Sequence, residues 1–224
     1  MAFWIGFCAL VCISAYLLGS LPTGYLAGRM VKGIDIREHG SKSTGATNVL
    51  RTVGKVPAII VLLIDVSKGA AAIVFTRAVY QLPAIAPLIP TEVNLQAWLP
   101  YAITLSGLAV LLGHSRSIWI NFSGGKSVAT GLGLLLAMTL PVGIGALVAF
   151  AGMLAISRIV SLSSVVAALT VMGLMVGLQQ PLPLQGLAIA GGLFVIWRHQ
   201  ANLQRLIAGT EPRLGRKSPE SEPQ

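Results

Sequence analysis

Residues 39–51 read HGSKSTGATNVLR. Gly40 and Gly45 loosen this backbone, while Ser41, Ser43, Thr44, Thr47 and Asn48 offer short hydrogen-bonding groups. Arg51 adds a planar fork that suits a phosphate. In a second stretch, SGGKSVATG over 123–131, Gly124 and Gly125 precede Lys126, and Ser127 and Thr130 follow where a helix is expected to begin. Glycines let backbone N–H groups approach a ligand, and the start of a helix favours anions. This is not a Walker A loop, which would need glycine where Ile120 stands. A third stretch, RHQANLQR over 198–205, would as one helix put Arg198, Asn202 and Arg205 on one face and His199 beside Asn202. Taken singly, each stretch also fits a solvated loop, or a juxtamembrane helix whose cations meet lipid headgroups. Taken together they fit one site for a phosphorylated, partly lipidic compound. Asp65 and Lys68, at i and i+3 within an apolar run, form either a structural pair or support for that site. His114, at the end of another apolar run, is expected only to satisfy a helix end.

The elements that must position these residues are apolar. The chain has 224 residues, 54% hydrophobic and 10% charged, where a soluble domain carries about 25% charged residues. No charge occurs over 1–28, 93–113, 127–157 or 159–197. A helix needs about 20 apolar residues to cross a bilayer, so the chain is expected to be all-α, a polytopic membrane protein. Seven transmembrane helices are expected, at roughly 3–27, 56–76, 97–114, 127–140, 141–157, 162–180 and 183–198, although 127–157 also fits one bent helix. With the amino terminus outside and the carboxyl terminus cytoplasmic, fourteen of the sixteen basic residues fall on the inner side. The exceptions are Arg77, near the outer face, and Lys68, within a span. All the polar stretches then lie on the cytoplasmic face. A cleaved signal peptide is disfavoured, because the first basic residue is Arg29. Residues 1–210 are read as a single membrane domain and 211–224 as a polar, disordered cytoplasmic tail. The net charge of +9 reports topology, so no nucleic-acid partner is expected. Cys8 and Cys12 are expected to be packing residues, and no Cys/His spacing suggests a metal.

The stretches GSLPTGYLAG (19–28), DIREHGS…GATNVLR (35–51), GGKSVAT (124–130), SLSS (161–164) and RHQANLQRLIAGTE (198–211) carry a resemblance in type, place and order. With them the sequence resembles the membrane-bound bacterial acyl-phosphate:glycerol-3-phosphate acyltransferases, the PlsY type, over about residues 16–211. In that family's first motif Gly and Asn commonly stand where Lys42 and Ser43 stand here, and its glycine loop commonly ends in Gly where Ser127 stands.

The resemblance implies that a fatty acyl group passes from acyl-phosphate to the sn-1 hydroxyl of glycerol 3-phosphate, giving lysophosphatidic acid and inorganic phosphate for phospholipid synthesis. It implies catalytic roles for Ser41, Arg51, His199 and Asn202. It implies substrate binding by Gly124, Gly125, Lys126, Ser127 and Ser161, and structural support from Glu211; from their own chemistry Ser43, Thr47 and Asn48 are expected to join the substrate-binding set and Asp65 and Lys68 the structural one. The expected partners are glycerol 3-phosphate, fatty acyl-phosphate and membrane lipid, with the soluble enzyme that makes acyl-phosphate as a further candidate. No cofactor and no metal are expected, and the location is a bacterial inner membrane with the site on the cytoplasmic face. Either His199 or a substrate phosphate oxygen could take the hydroxyl proton. A transporter for an anionic solute and a lipid-binding scaffold are the competing classes. His-x4-Asp, the pattern of many acyl-CoA-dependent enzymes, is absent: Thr44, Trp119 and Gln204 stand at the aspartate position after the three histidines.

Overall fold

The computed structural model describes residues 1–215. It is all-helical, with α1 (Ala2–Ser20), α2 (Thr23–Lys32), α3 (Ala46–Thr52), α4 (Lys55–Tyr80), α5 (Leu95–Ser115), α6 (Val128–Met138), α7 (Leu140–Ser157), α8 (Val160–Gly177), α9 (Leu182–Arg198) and α10 (Gln200–Ile207). No strand occurs among the described residues; one isolated bridge joins Ser117 to Ser123. Five segments are long and apolar enough to cross a membrane: Ala2–Lys32, Lys55–Tyr80, Leu95–Ser115, Leu140–Ser157 and Val160–Gly177. α6 and α9 are shorter apolar helices. At 1.5 Å per residue, the 11 residues of α6 fall well short of a bilayer core.

The first expected span is not one continuous helix. α1 stops at Leu21–Pro22, and α2 restarts at Thr23. Proline has no N–H to donate and cannot continue a helix. The carbonyl of Leu21 accepts a hydrogen bond from Lys68 Nζ at 3.0 Å. Thr23 Oγ1 donates to Asp65 Oδ1 at 2.7 Å, and Lys68 Nζ stands 2.8 Å from the same oxygen. A broken helix in an apolar protein must have its freed groups satisfied, and the Asp65–Lys68 pair of α4 does this. The pair is therefore structural in position, while Asp65 also borders the cavity described below. The stretch 127–157 forms two helices, separated at Thr139 (φ −146, ψ 102).

The main core joins α1 and α4 through α9, with Ala15, Ile73, Ile103, Val110, Leu134, Val142, Val171, Met175 and Leu187 buried in one cluster. Small residues bring α4 and α6 together: a Cβ on Gly133 would overlap the Val66 carbonyl, and one on Gly69 the Thr130 carbonyl. Arg77, the outlier in the charge sorting, donates to the carbonyls of Ala137 at 2.7 Å and Met138 at 2.9 Å. It thus satisfies the last turn of α6, where cations are favoured. Trp4 packs with Phe7, Tyr80 and Trp98 at one end of the bundle, and the polar stretches gather at the other.

The Asp65–Lys68 pair yields a prediction. Asp65→Ala leaves a buried ammonium without its counter-charge, a change that costs about 3–5 kcal/mol in comparable sites. Thermal unfolding in detergent is expected to show a clear loss of stability, and an unchanged midpoint would contradict the bracing role.

Candidate active site

The polar stretches are brought to a single cavity of about 310 Å³. Ser41, Ser43, Thr47, Asn48 and Arg51 border it from the loop into α3, and Lys126 and Ser127 from the start of α6. Ser161 borders it from α8, and His199, Asn202 and Glu211 from the carboxyl-terminal segment. Below this polar mouth the walls are apolar: Leu135 and Met138 of α6, Phe150 of α7, Val171 of α8 and Leu187 of α9. Gly124 and Gly125 shape the loop rather than line the cavity, and Lys68 braces it from behind.

Three local structures set the mouth. In the first, Asn48 of α3 is buried and its amide is committed to the loop that precedes the helix. Asn48 Oδ1 accepts from Ser41 N at 2.9 Å, and Nδ2 donates to the carbonyls of Ile36, His39 and Ser43. Asn48, expected to bind substrate, therefore organises the loop that carries Ser41 and Ser43. Arg51, one turn further along α3, lies at the cavity with a partly exposed guanidinium, and burial lowers its pKa from the usual value.

The second is the glycine loop, pinned to the end of α5. Gly125 N donates to the His114 carbonyl at 3.1 Å, and Ser115 Oγ donates to the Gly125 carbonyl at 3.2 Å. Ser127 Oγ lies 2.7 Å from Ser115 Oγ and donates to the Leu111 carbonyl at 2.9 Å. From α9, Arg198 Nη2 donates to the Gly125 carbonyl at 3.0 Å. The first amides of α6 have no side-chain cap, which leaves the anion-favouring end of that helix at the cavity.

The third is the carboxyl-terminal segment. The expectation of one helix through 198–205 is corrected: the backbone breaks at His199 (φ −102, ψ 6), between α9 and α10. Arg198 therefore reaches the glycine loop, whereas Asn202 and Arg205 turn to Glu211. Glu211 Oε1 accepts from Ser161 Oγ at 2.7 Å and Asn202 Nδ2 at 2.6 Å, and Oε2 accepts from Arg205 Nε at 2.9 Å. Asn202 Oδ1 accepts from Lys126 Nζ. Of the tail expected over 211–224, Glu211 is buried and Leu214 N donates to the Arg158 carbonyl at 2.8 Å, while 216–224 lie outside the described residues.

The electrostatics follow from this crowding. Burial, with Arg205, Arg198 and Arg51 nearby, pushes the Lys126 ammonium down to about 8, against the pull of Glu211. Burial and the Lys126 charge push His199 down to about 4. His199 Nδ1 stands 2.7 Å from the Val195 carbonyl, an acceptor only, so Nδ1 carries the proton and Nε2 keeps its lone pair. Burial raises the Glu211 carboxyl, but hydrogen bonds from Asn202, Ser161 and Arg205 outweigh it and hold the group below the usual range. The mouth thus carries an excess of positive charge, which an added anion would relieve.

An all-helical integral membrane protein, with a cationic mouth opening into an apolar chamber, is the class that fold and cavity define. The profile of the family described as "Glycerol-3-phosphate acyltransferase" matches residues 9–209. "Glycerol-3-phosphate acyltransferase 2" of Rhizobium johnstonii is 62% identical over 96% of this chain and 99% of its own length. "Glycerol-3-phosphate acyltransferase" of Nostoc sp. is 55% identical over 97% and 96% respectively. Among solved structures, PlsY (YgiH), described as an integral membrane glycerol 3-phosphate acyltransferase, aligns in its glycerol 3-phosphate form with a TM-score of 0.80. That alignment is 31% identical and covers 93% of this chain and 96% of PlsY. The lysophosphatidic acid form of PlsY aligns with a TM-score of 0.77, also at 31% identity, over 93% and 95% of the two chains. The chain belongs to the glycerol-3-phosphate acyltransferase family.

Two departures from the family motif fall at backbone positions with a physical cost. Lys42 (φ 57) and Ser127 (φ 60) both adopt the left-handed conformation that glycine adopts freely. Lys42→Gly is expected to relieve about 1 kcal/mol and raise the midpoint by roughly 2–4 °C. Ser127→Gly is expected to gain little, since it loses the bonds to Leu111 and Ser115; equal gains in the two variants would refute this distinction.

The Lys126 charge carries a pH dependence. Its pKa near 8 means that the cation is present below that pH and lost as pH rises through it. Affinity for inorganic phosphate, titrated calorimetrically, is expected to fall between about pH 8 and about pH 9.5, where phosphate is already mainly the dianion. Lys126→Arg should remove that fall, because arginine stays charged throughout.

Proposed function

We propose that the protein transfers a fatty acyl group from acyl-phosphate to the sn-1 hydroxyl of glycerol 3-phosphate. The single observation that carries this reading is one cavity with a cationic mouth and an apolar interior, in a chain of this family. Both proposed substrates are phosphorylated and one carries an acyl chain. The mouth suits two phosphates and the interior one chain. Arg51, Lys126 and the first amides of α6 offer charge-assisted hydrogen bonds, each worth about 1.5–3 kcal/mol, and these offset the repulsion of two anions brought together. We assign the glycerol 3-phosphate phosphate to Lys126 and the glycine loop, and the acyl-phosphate to Arg51 with Ser41 and Ser43.

The hydroxyl oxygen attacks the acyl carbonyl carbon, and the bond from that carbon to the phosphate oxygen breaks. Inorganic phosphate leaves with the electron pair, giving 1-acylglycerol 3-phosphate. Acyl-phosphate is a mixed anhydride with a good leaving group, so orientation and charge stabilisation are what the protein must supply. His199, neutral with a free Nε2, suits a hydrogen bond that orients the hydroxyl. A pKa near 4 makes it a weak base at neutral pH, so we assign the proton to a phosphate oxygen, whose own pKa is about 6.

For the topology we propose seven spans with the amino terminus outside, the carboxyl terminus inside, and the site on the cytoplasmic face of a bacterial inner membrane. The support is the sorting of basic residues, fourteen of sixteen toward one side. Residues 1–210 act as one domain, closed by the Glu211 contacts. Acyl-phosphate is delivered by the soluble enzyme that makes it or from the bilayer, with no cofactor or metal.

Purified protein given palmitoyl phosphate and glycerol 3-phosphate is expected to release phosphate and form lysophosphatidic acid. Flux of glycerol 3-phosphate in proteoliposomes without an acyl donor would instead indicate a transporter. His199→Gln is expected to lower kcat while keeping the acidic limb of the pH profile. Loss of that limb in the variant would make His199 the base.

A further inference from the structure

One buried polar residue at the cavity has no task in the scheme above. His114, in the last turn of α5, is buried and lines the cavity beside Asp65. Its Nδ1 lacks a hydrogen-bond partner; Asp65 Oδ1 stands 3.6 Å away, and Asp65 Oδ2 is also unpartnered. On the other side of the ring lies the glycine loop. A Cβ on Gly125 would overlap His114 Nε2, and one on Gly124 would overlap the His114 carbonyl oxygen. That carbonyl also accepts the Gly125 N–H at 3.1 Å. His114 thus touches the loop with its ring and with its backbone, and Asp65, anchored by Thr23 and Lys68, stands behind the ring. A residue that only closed a helix end would not need a polar ring between a buried carboxylate and a loop backbone, since burying unpaired polar atoms is unfavourable.

We propose that His114, backed by Asp65, is a positioning residue for the glycine loop. Its imidazole is the surface on which Gly125 rests, and it sets where Lys126 and the first amides of α6 meet the phosphate of glycerol 3-phosphate. The proposal rests on assigning that phosphate to the loop. Contact between the Gly125 position and the ring makes the two sites interdependent, and a double-mutant cycle can read this.

The test uses the full chain in detergent, with palmitoyl phosphate and glycerol 3-phosphate as substrates. His114→Ala is expected to raise the KM for glycerol 3-phosphate by about tenfold or more, the scale of losses from supporting residues, and to leave the KM for palmitoyl phosphate within about twofold. Gly125→Ala is expected to cost about tenfold in kcat/KM in the wild-type background and about threefold or less with His114→Ala, where the methyl group takes space the ring has vacated. An unchanged glycerol 3-phosphate KM in His114→Ala, or an equal Gly125→Ala cost in both backgrounds, would overturn the proposal. If His114→Ala yields no folded protein, His114→Gln takes its place, its flexible amide swinging clear of Gly125, and the same two criteria apply. A wild type that turns over neither substrate would refute the proposed function instead. The inference is then read from the rise in melting temperature on adding inorganic phosphate: it should be lost in the His114 variant, and an undiminished rise would overturn it.

Discussion

The arrangement of the site depends on one buried carboxylate. Arg51 and Lys126 line the mouth of the cavity, with Arg198 and Arg205 near enough to act on the Lys126 charge, and nothing in their mutual repulsion would keep them there. Glu211 offsets part of that repulsion. By accepting from Ser161, Asn202 and Arg205 it also ties α8, α10 and the segment beyond α10 into one unit. Asn202 then hands the constraint on to Lys126. A carboxylate that accepts three hydrogen bonds stays ionised even where burial opposes it, so the counterweight remains in place without substrate. The residual positive charge is what an incoming phosphate meets.

The same economy of contacts explains the glycine loop. Its backbone carbonyls and N–H groups are clamped between the end of α5 and Arg198 of α9. The loop can therefore present Lys126 and the start of α6 at fixed positions while its own polar groups are satisfied. Such preorganisation is what the proposed acyl transfer from a mixed anhydride would need, where holding two anions in register is most of the difficulty. The apolar walls below the mouth, from Leu135 and Met138 to Phe150 and Val171, continue the same cavity without a break. One cavity thus offers two dielectric environments, as the proposed substrates, an acyl chain with a charged head, would require.

Much of this was legible in the residues themselves. Charge-free runs marked the apolar helices, because a charged residue inside a bilayer is expensive enough to leave its absence as a signal. Ser41, Arg51, Lys126, His199 and Asn202 stood out by type and pattern, Ser161 and Glu211 through the family resemblance, and the cavity brings all seven together. What could not be read was which polar group serves the ligand and which serves the protein. Asn48 stands five residues after Ser43 in one polar stretch, yet its amide is consumed by backbone groups of that stretch. The break at Leu21–Pro22 carried a proline signal, but the apolar run continued through it and masked the stop. His114 was expected only to satisfy a helix end, since a lone histidine there is unremarkable.

By itself, the sequence determined that the chain is helical and apolar, and that its candidate anion-binding residues occur in three separated stretches. Local periodicity and transfer free energy decide those properties, and both act over a few residues at a time. Only the tertiary structure decided that Glu211 would hold Asn202 and Ser161, that Arg198 would cross to the Gly125 carbonyl while Asn202 met the Lys126 side chain, and that Lys126 would lose part of its basicity. Apart from Asn202 with Glu211, nine positions away, those outcomes depend on contacts between residues 50 or more positions apart, such as Ser161 with Glu211. Desolvation and hydrogen bonding at such contacts exist only once the helices have packed.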